Sequence, residues 1–124
     1  MKEPTDGQIN RKIAEFMGND LIVLYLDNKG TPALTVDTIN YAREYILHGG
    51  HPTMYTESLD VLIPVVEKLR EDLNKYWEGF GVDSNGLYVM AIVNGIYIGD
   101  PDEIIARHKS PSQALARAIY EVIK

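Results

Sequence analysis

"GLYVMAIVNGIYIGD", residues 86–100, decides the fold. Asn94-Gly95 stands between two apolar runs. Both residues tolerate positive φ, so the dipeptide predicts a tight hairpin turn. On the first run Leu87, Val89, Ala91 and Val93 point one way, and Tyr88, Met90 and Ile92 the other. Both faces are apolar. Such a strand needs cover on both sides, by helices or by a second subunit. Just downstream, "EIIARHK" (103–109) reads as a third strand.

Helices flank this core. After the third strand, Ser110 is placed as an N-cap with Pro111 at the first helical position. Leu115, Ala118, Ile119 and Val122 form the buried stripe of that last helix. Gln113, Arg117, Tyr120 and Lys124 lie opposite. Upstream, Leu59, Leu62, Ile63, Val66, Leu69 and Leu73 make an apolar face that Trp77 continues, so residues 56–78 predict the longest helix. Thr56 is its candidate cap, and Gly79 and Gly81 end it. Pro64 removes one backbone donor and predicts either a kink or a later start. At the beginning, Thr5 and Gln8 have capping-box spacing. Ile9, Ile13, Phe16 and Met17 form one stripe, and Gly18 suits a left-handed cap. "LIVLYL" (21–26) reads as a buried strand, and residues 36–47 as a short helix.

The bulk properties narrow the function. The chain has 124 residues, which suits one domain, and no cysteine, which excludes disulfides and thiolate chemistry. No apolar run reaches the length of a membrane helix, about 20 residues. No apolar signal core follows the start, so the expected location is the cytoplasm. A formal net charge of −6 argues against general binding to DNA or RNA. There is no nucleophile elbow, phosphate-binding glycine loop or dinucleotide fingerprint. His48 and His51 flank two glycines and read as loop residues rather than metal ligands. The acidic pairs, Glu71-Asp72 among them, lie in turns or on a solvated helix face. No catalytic constellation, metal or cofactor is expected.

Two clusters remain. Arg107, His108 and Lys109 run into a helix start, where free N–H groups and a partial positive charge suit an anion. Arg107 and Lys109, with Ser110 and Ser112, could hold a phosphate, or the cations could pair with Asp100, Asp102 or Glu103. Tyr76, Trp77, Phe80 and Tyr88 cluster around "YWEGFG". Phe80, between two glycines, is the candidate for stacking on a flat ring. Trp77 reads as core. Tyr residues on otherwise polar helix sides, with the two-faced strand, predict an oligomer, at least a dimer.

Three stretches together resemble the phage ABA sandwich domain family: "INRKIAEFMG" (9–18), "MYTESLDVLIPVVEKL" (54–69) and "SPSQALARAIYEVIK" (110–124), the last with its Ala-x-x-Arg-Ala pattern around Arg117. Order and spacing carry the likeness, and residues 19–50 depart from it. The resemblance implies an α+β fold with a small antiparallel sheet covered by helices on both sides, an α/β/α sandwich, as a single domain over 1–124. It also implies a phage or prophage anti-defence protein acting in the host cytoplasm. One branch binds, without cleaving, the cyclic ADP-ribose signal of a TIR-domain enzyme. Some members take cyclic di- or trinucleotides, as homo-oligomers. The ligand-binding candidates are then Arg107, Lys109 and Arg117 for phosphates, Phe80 for adenine and Asn94 for a ribose or base edge. Arg117 could instead organise an ion pair, and Asn94 could be a turn residue only. The alternatives are an uncharacterised phage adaptor or host-factor inhibitor acting through a protein surface, and an enzyme degrading such a signal.

Overall fold

A computed structural model describes residues 3–19, 22, 23, 26, 53–95 and 103–124. Their elements run α1 (Asp6–Met17), a 3-10 turn (Asp60–Leu62), α2 (Ile63–Leu73), β1 (Lys75–Val82), β2 (Tyr88–Asn94), β3 (Ile104–His108) and α3 (Pro111–Ile123). The fold is α+β. Its antiparallel sheet is open, with the described strands in the order β1-β2-β3.

α1 forms as the sequence dictates. Thr5 and Gln8 make both bonds of the capping box, and Gly18 closes the helix at φ 67°. Ile9, Ile13 and Ala14 are fully buried. Pro64 marks a later start rather than a kink, because it falls in the first turn of α2, where its missing N–H costs nothing. Thr56 is not the cap. It is buried and bonded elsewhere, and Ser58 Oγ accepts from the Asp60 amide instead (3.2 Å).

Three expectations need correction. First, α2 stops at Asn74, which takes the left-handed conformation (φ 54°), so Trp77, Gly79 and Gly81 belong to β1. Trp77 lies four places after Leu73 and so mimicked a further helical turn. A register shift between Trp77 and Gly79 keeps Trp77 and Phe80 both in phase with the core residues Ile92 and Met90. Second, the hairpin turn comes earlier than predicted. Asp83 caps the loop between β1 and β2 by accepting from the Asn85 and Leu87 amides (2.8 and 3.0 Å), and Gly86 takes φ 80°. Asn94 ends β2 opposite Lys75, neither Asn94 nor Gly95 has positive φ, and over Tyr88–Ile92 both edges of β2 are taken, by β1 and β3. The expected second arm, 96–99, lies outside the described residues, as do the helix at 36–47 and both loop histidines. Third, Ile22, Val23 and Leu26 are helical, not strand. Asn19 provides the start, its Oδ1 accepting from the Ile22 amide (3.4 Å). A short unbroken apolar run has no period to separate the two states.

One face of the sheet, with Met90 and Ile92, is buried under the helices. α3 crosses β2 and β3, α2 lies on β1, and α1 packs on α3. Ala114, Leu115, Ala116, Ala118 and Ile119 of α3 are all inaccessible, and the alanines let the helix sit close to the strands. The other face carries Tyr76, Val89, Ala91, Val93 and Ile105, of which Ile105 is 45% exposed. Cover by helices is thus shown on one side. No helix among the described residues is long and apolar enough to cross a membrane.

Candidate functional site

The start of α3 is already occupied by the protein itself. Ser110 Oγ accepts from the Gln113 amide (3.4 Å), and His108 Nδ1 accepts from the Ser110 amide (3.1 Å). Ser112 Oγ donates to the Thr56 carbonyl (2.9 Å). Thr56 in turn is clamped by Asn10: its amide donates to Asn10 Oδ1 (3.0 Å), and Asn10 Nδ2 donates to Thr56 Oγ1 (2.9 Å) and to the Asp6 carbonyl (2.8 Å). All three side chains are buried. The two serines read as phosphate donors therefore cap the helix and tie it to α1 and the 53–58 turn.

The sequence candidates are dispersed more widely than expected. Lys109 is exposed beside the cap. Phe80 is 61% exposed and meets Tyr88 with ring centroids 6.1 Å apart. Asn94 lies at the far end of β2, where its Oδ1 accepts from Lys75 Nζ. Phe80 and Asn94 are about 13 Å apart along the hairpin, at roughly 3.3 Å per residue. Arg107 is on the opposite face of the sheet from Phe80, its Nε 3.8 Å from Asp83 Oδ2. That partner is Asp83 rather than Glu103, and the other two expected partners, Asp100 and Asp102, lie outside the described residues.

Two of the five do meet. Arg107 and Arg117 line one cleft of about 480 Å³ between the N-terminal arm (Glu3, Pro4), β3 (Ile104, Ile105, Ala106) and Glu121 of α3. Arg117 is committed on all three nitrogens. Nε donates to Gln113 Oε1 (3.2 Å), Nη2 faces Asp6 Oδ1 (3.5 Å) and Nη1 faces Glu3 Oε2 (3.7 Å). Gln113 Nε2 also donates to Asp6 Oδ2 (2.7 Å), which fixes the carboxylate. Sequence reasoning missed Glu3, Asp6 and Glu121 as members of this group. Only Glu121 carries a local signal, one helical turn after Arg117.

A second hollow, about 570 Å³, lies between Met17, Asn19, Ile22, Tyr55, Asp60, Val61 and Pro64. No cation stands among the described residues that line it. Tyr55 is buried there, its hydroxyl accepting from Asn19 Nδ2 (3.1 Å). Burial raises the phenol pKa, and the Asn19 bond offsets this only in part. The stability from keeping the phenol neutral is full below the unfolded value of about 10 and is lost as pH rises through the raised folded value. Above pH ~10 the melting temperature of the wild type should therefore fall more steeply than that of Tyr55→Phe, as followed by circular dichroism.

Among the described residues, no group of three or more His, Cys, Asp or Glu is placed to hold a metal. No protein-family model matches the chain, and neither does any curated protein or solved structure.

Proposed function

We propose that this chain is a phage or prophage anti-defence protein that binds a cyclic nucleotide immune signal in the host cytoplasm and holds it without cleaving it. The observation that carries this reading is the convergence of Arg107 and Arg117 on one cleft of about 480 Å³, a volume within the usual range for small-molecule sites. The arginines suit a diphosphate. Glu121, in the same lining, suits the hydroxyls of a ribose. Arg107 is half exposed and can turn from Asp83 toward a ligand. The resemblance adds support. Its three stretches, 9–18, 54–69 and 110–124, are bonded to one another through Asn10, Thr56 and Ser112. On this reading the cyclic ADP-ribose type is the lead ligand, with cyclic di- and trinucleotides as the further class. The chain self-associates through the apolar outer face of the sheet, and Phe80 and Asn94 do not belong to the cleft.

The test is calorimetry of the full chain against cyclic ADP-ribose isomers and cyclic di- and trinucleotides. One ligand should bind and return chemically intact after denaturation and chromatography. Arg117→Ala should weaken it by roughly ten- to a hundredfold, the scale of a lost charge-assisted contact. A linear product that grows with time would convert the reading to an enzyme. Absence of binding across the panel would favour the second reading, an adaptor or host-factor inhibitor acting through a protein surface. That alternative has its own support in the apolar strip of Phe80 and Val82, 61% and 60% exposed.

A further inference from the structure

We propose that Glu3 is an internal competitor for the anion site, resting on Arg117 until a ligand displaces it. This deepens, and rests on, the reading of the β3–α3 cleft as an anion site. The guanidinium has three nitrogens, and they are held unequally. Nε and Nη2 face Gln113 and Asp6, and these two partners are themselves joined by a 2.7 Å bond. Among the described residues Nη1 faces Glu3 alone, at 3.7 Å, beyond hydrogen-bond range. The Glu3 side chain is 89% exposed, whereas that of Arg117 is 22% exposed. The loosest contact is therefore also the one on the solvent side, and Glu3 and Pro4 both line the cleft.

The arm can give way without unravelling α1. The capping box begins at Thr5, whose amide donates to Gln8 Oε1 (2.8 Å), so α1 is closed one residue after Pro4. Charge gives the arm its effect. With Asp6 and Glu3 both beside it, Arg117 sits in a locally negative setting, and an incoming anion is repelled until Glu3 leaves. With Glu3 gone, Asp6 is the carboxylate still facing the guanidinium, Glu121 in the same lining is paired with Lys124 (2.6 Å), and Nη1 is open to a phosphate oxygen.

An exposed ion pair of this kind has a modest strength, so relieving it should tighten anion binding by about two- to fivefold. The probe is inorganic pyrophosphate, titrated into the full chain at low ionic strength by calorimetry. Glu3→Gln should bind it about two- to fivefold more tightly than wild type. Glu71→Gln makes the same change in net charge on the exposed side of α2 and should bind like wild type. The gain from Glu3→Gln should vanish when Arg117 is replaced by Ala, or by the uncharged Gln if the alanine variant does not fold by circular dichroism. Equal affinity of Glu3→Gln and wild type overturns the competitor and leaves the anion site standing. A gain that also appears in Glu71→Gln, or that survives replacement of Arg117, assigns the effect to net charge and overturns it too. If neither wild type nor Glu3→Gln binds pyrophosphate, the anion site falls and the competitor with it.

Discussion

Asn10→Ala is expected to lower stability by about 2–4 kcal/mol, although it touches neither cleft. Asn10 makes three hydrogen bonds from a buried position, two of them to Thr56, which lies 46 residues away. Alanine removes both bonds between Asn10 and Thr56 at once. The Thr56 amide and hydroxyl would then be buried with nothing to bond, and each such group costs about 1–3 kcal/mol. For a chain of this length that corresponds to a drop in melting temperature of about 8–15 °C. Thr56→Val removes only the hydroxyl and should cost about 1 kcal/mol. The double variant should be less destabilised than the sum, because the two residues share their bonds. Thermal melts by circular dichroism check this. A change below about 3 °C for Asn10→Ala would mean that water replaces Asn10 and that the network does not hold the three segments together. The cleft should feel the loss as well. Asn10 and Ser112 together fix α1 against the start of α3, and that fixes Asp6 and Glu3 against Arg117.

What could be read from the sequence was local. The capping box at Thr5, the left-handed Gly18, the Ser110-Pro111 start and the strand at 104–108 all follow from residues a few places apart, and all are present. The errors came where a pattern fits two structures. Trp77 continues a helical stripe by spacing, yet Asn74 had already closed the helix. Asn94-Gly95 and Asn85-Gly86 are both turn dipeptides, and only the pairing of β1 with β2 shows which one turns the hairpin. At the site, Arg107 and Arg117 were legible as cations near one helix. Their carboxylate neighbours were not, because Asp6 lies 111 residues from Arg117 in the chain. Asn10 left a faint signal. It sits between Ile9 and Ile13 on the buried arc of α1, where a polar side chain needs an internal partner, but nothing local names Thr56 as that partner.

The two faces of the sheet should answer differently to the same charge. Met90 is inaccessible on the central strand, between Phe80 of β1 and Ala106 of β3 and on the face that α3 covers. Among the described residues no buried side chain is a cation that could pair with a carboxylate there. An unpaired buried charge costs several kcal/mol, comparable with the whole stability of a small domain at about 5–15 kcal/mol. Met90→Asp should therefore show no cooperative melting transition. Ile105 lies opposite Ala91 on the other face and is 45% exposed. Ile105→Asp should cost at most about 1 kcal/mol, the range of strand preference at a half-exposed site, and should fold. If the chain self-associates through this face, light scattering at micromolar concentration should give an oligomer for wild type and a monomer for Ile105→Asp, since a desolvated charge disfavours an apolar interface. A wild type that is already monomeric removes the proposed self-association. An Ile105→Asp variant that folds and keeps the wild-type mass moves the contact to another surface. Loss of folding in Ile105→Asp to the same degree as in Met90→Asp would show that the outer face is packed core, which is the two-sided cover that its apolar residues led us to expect.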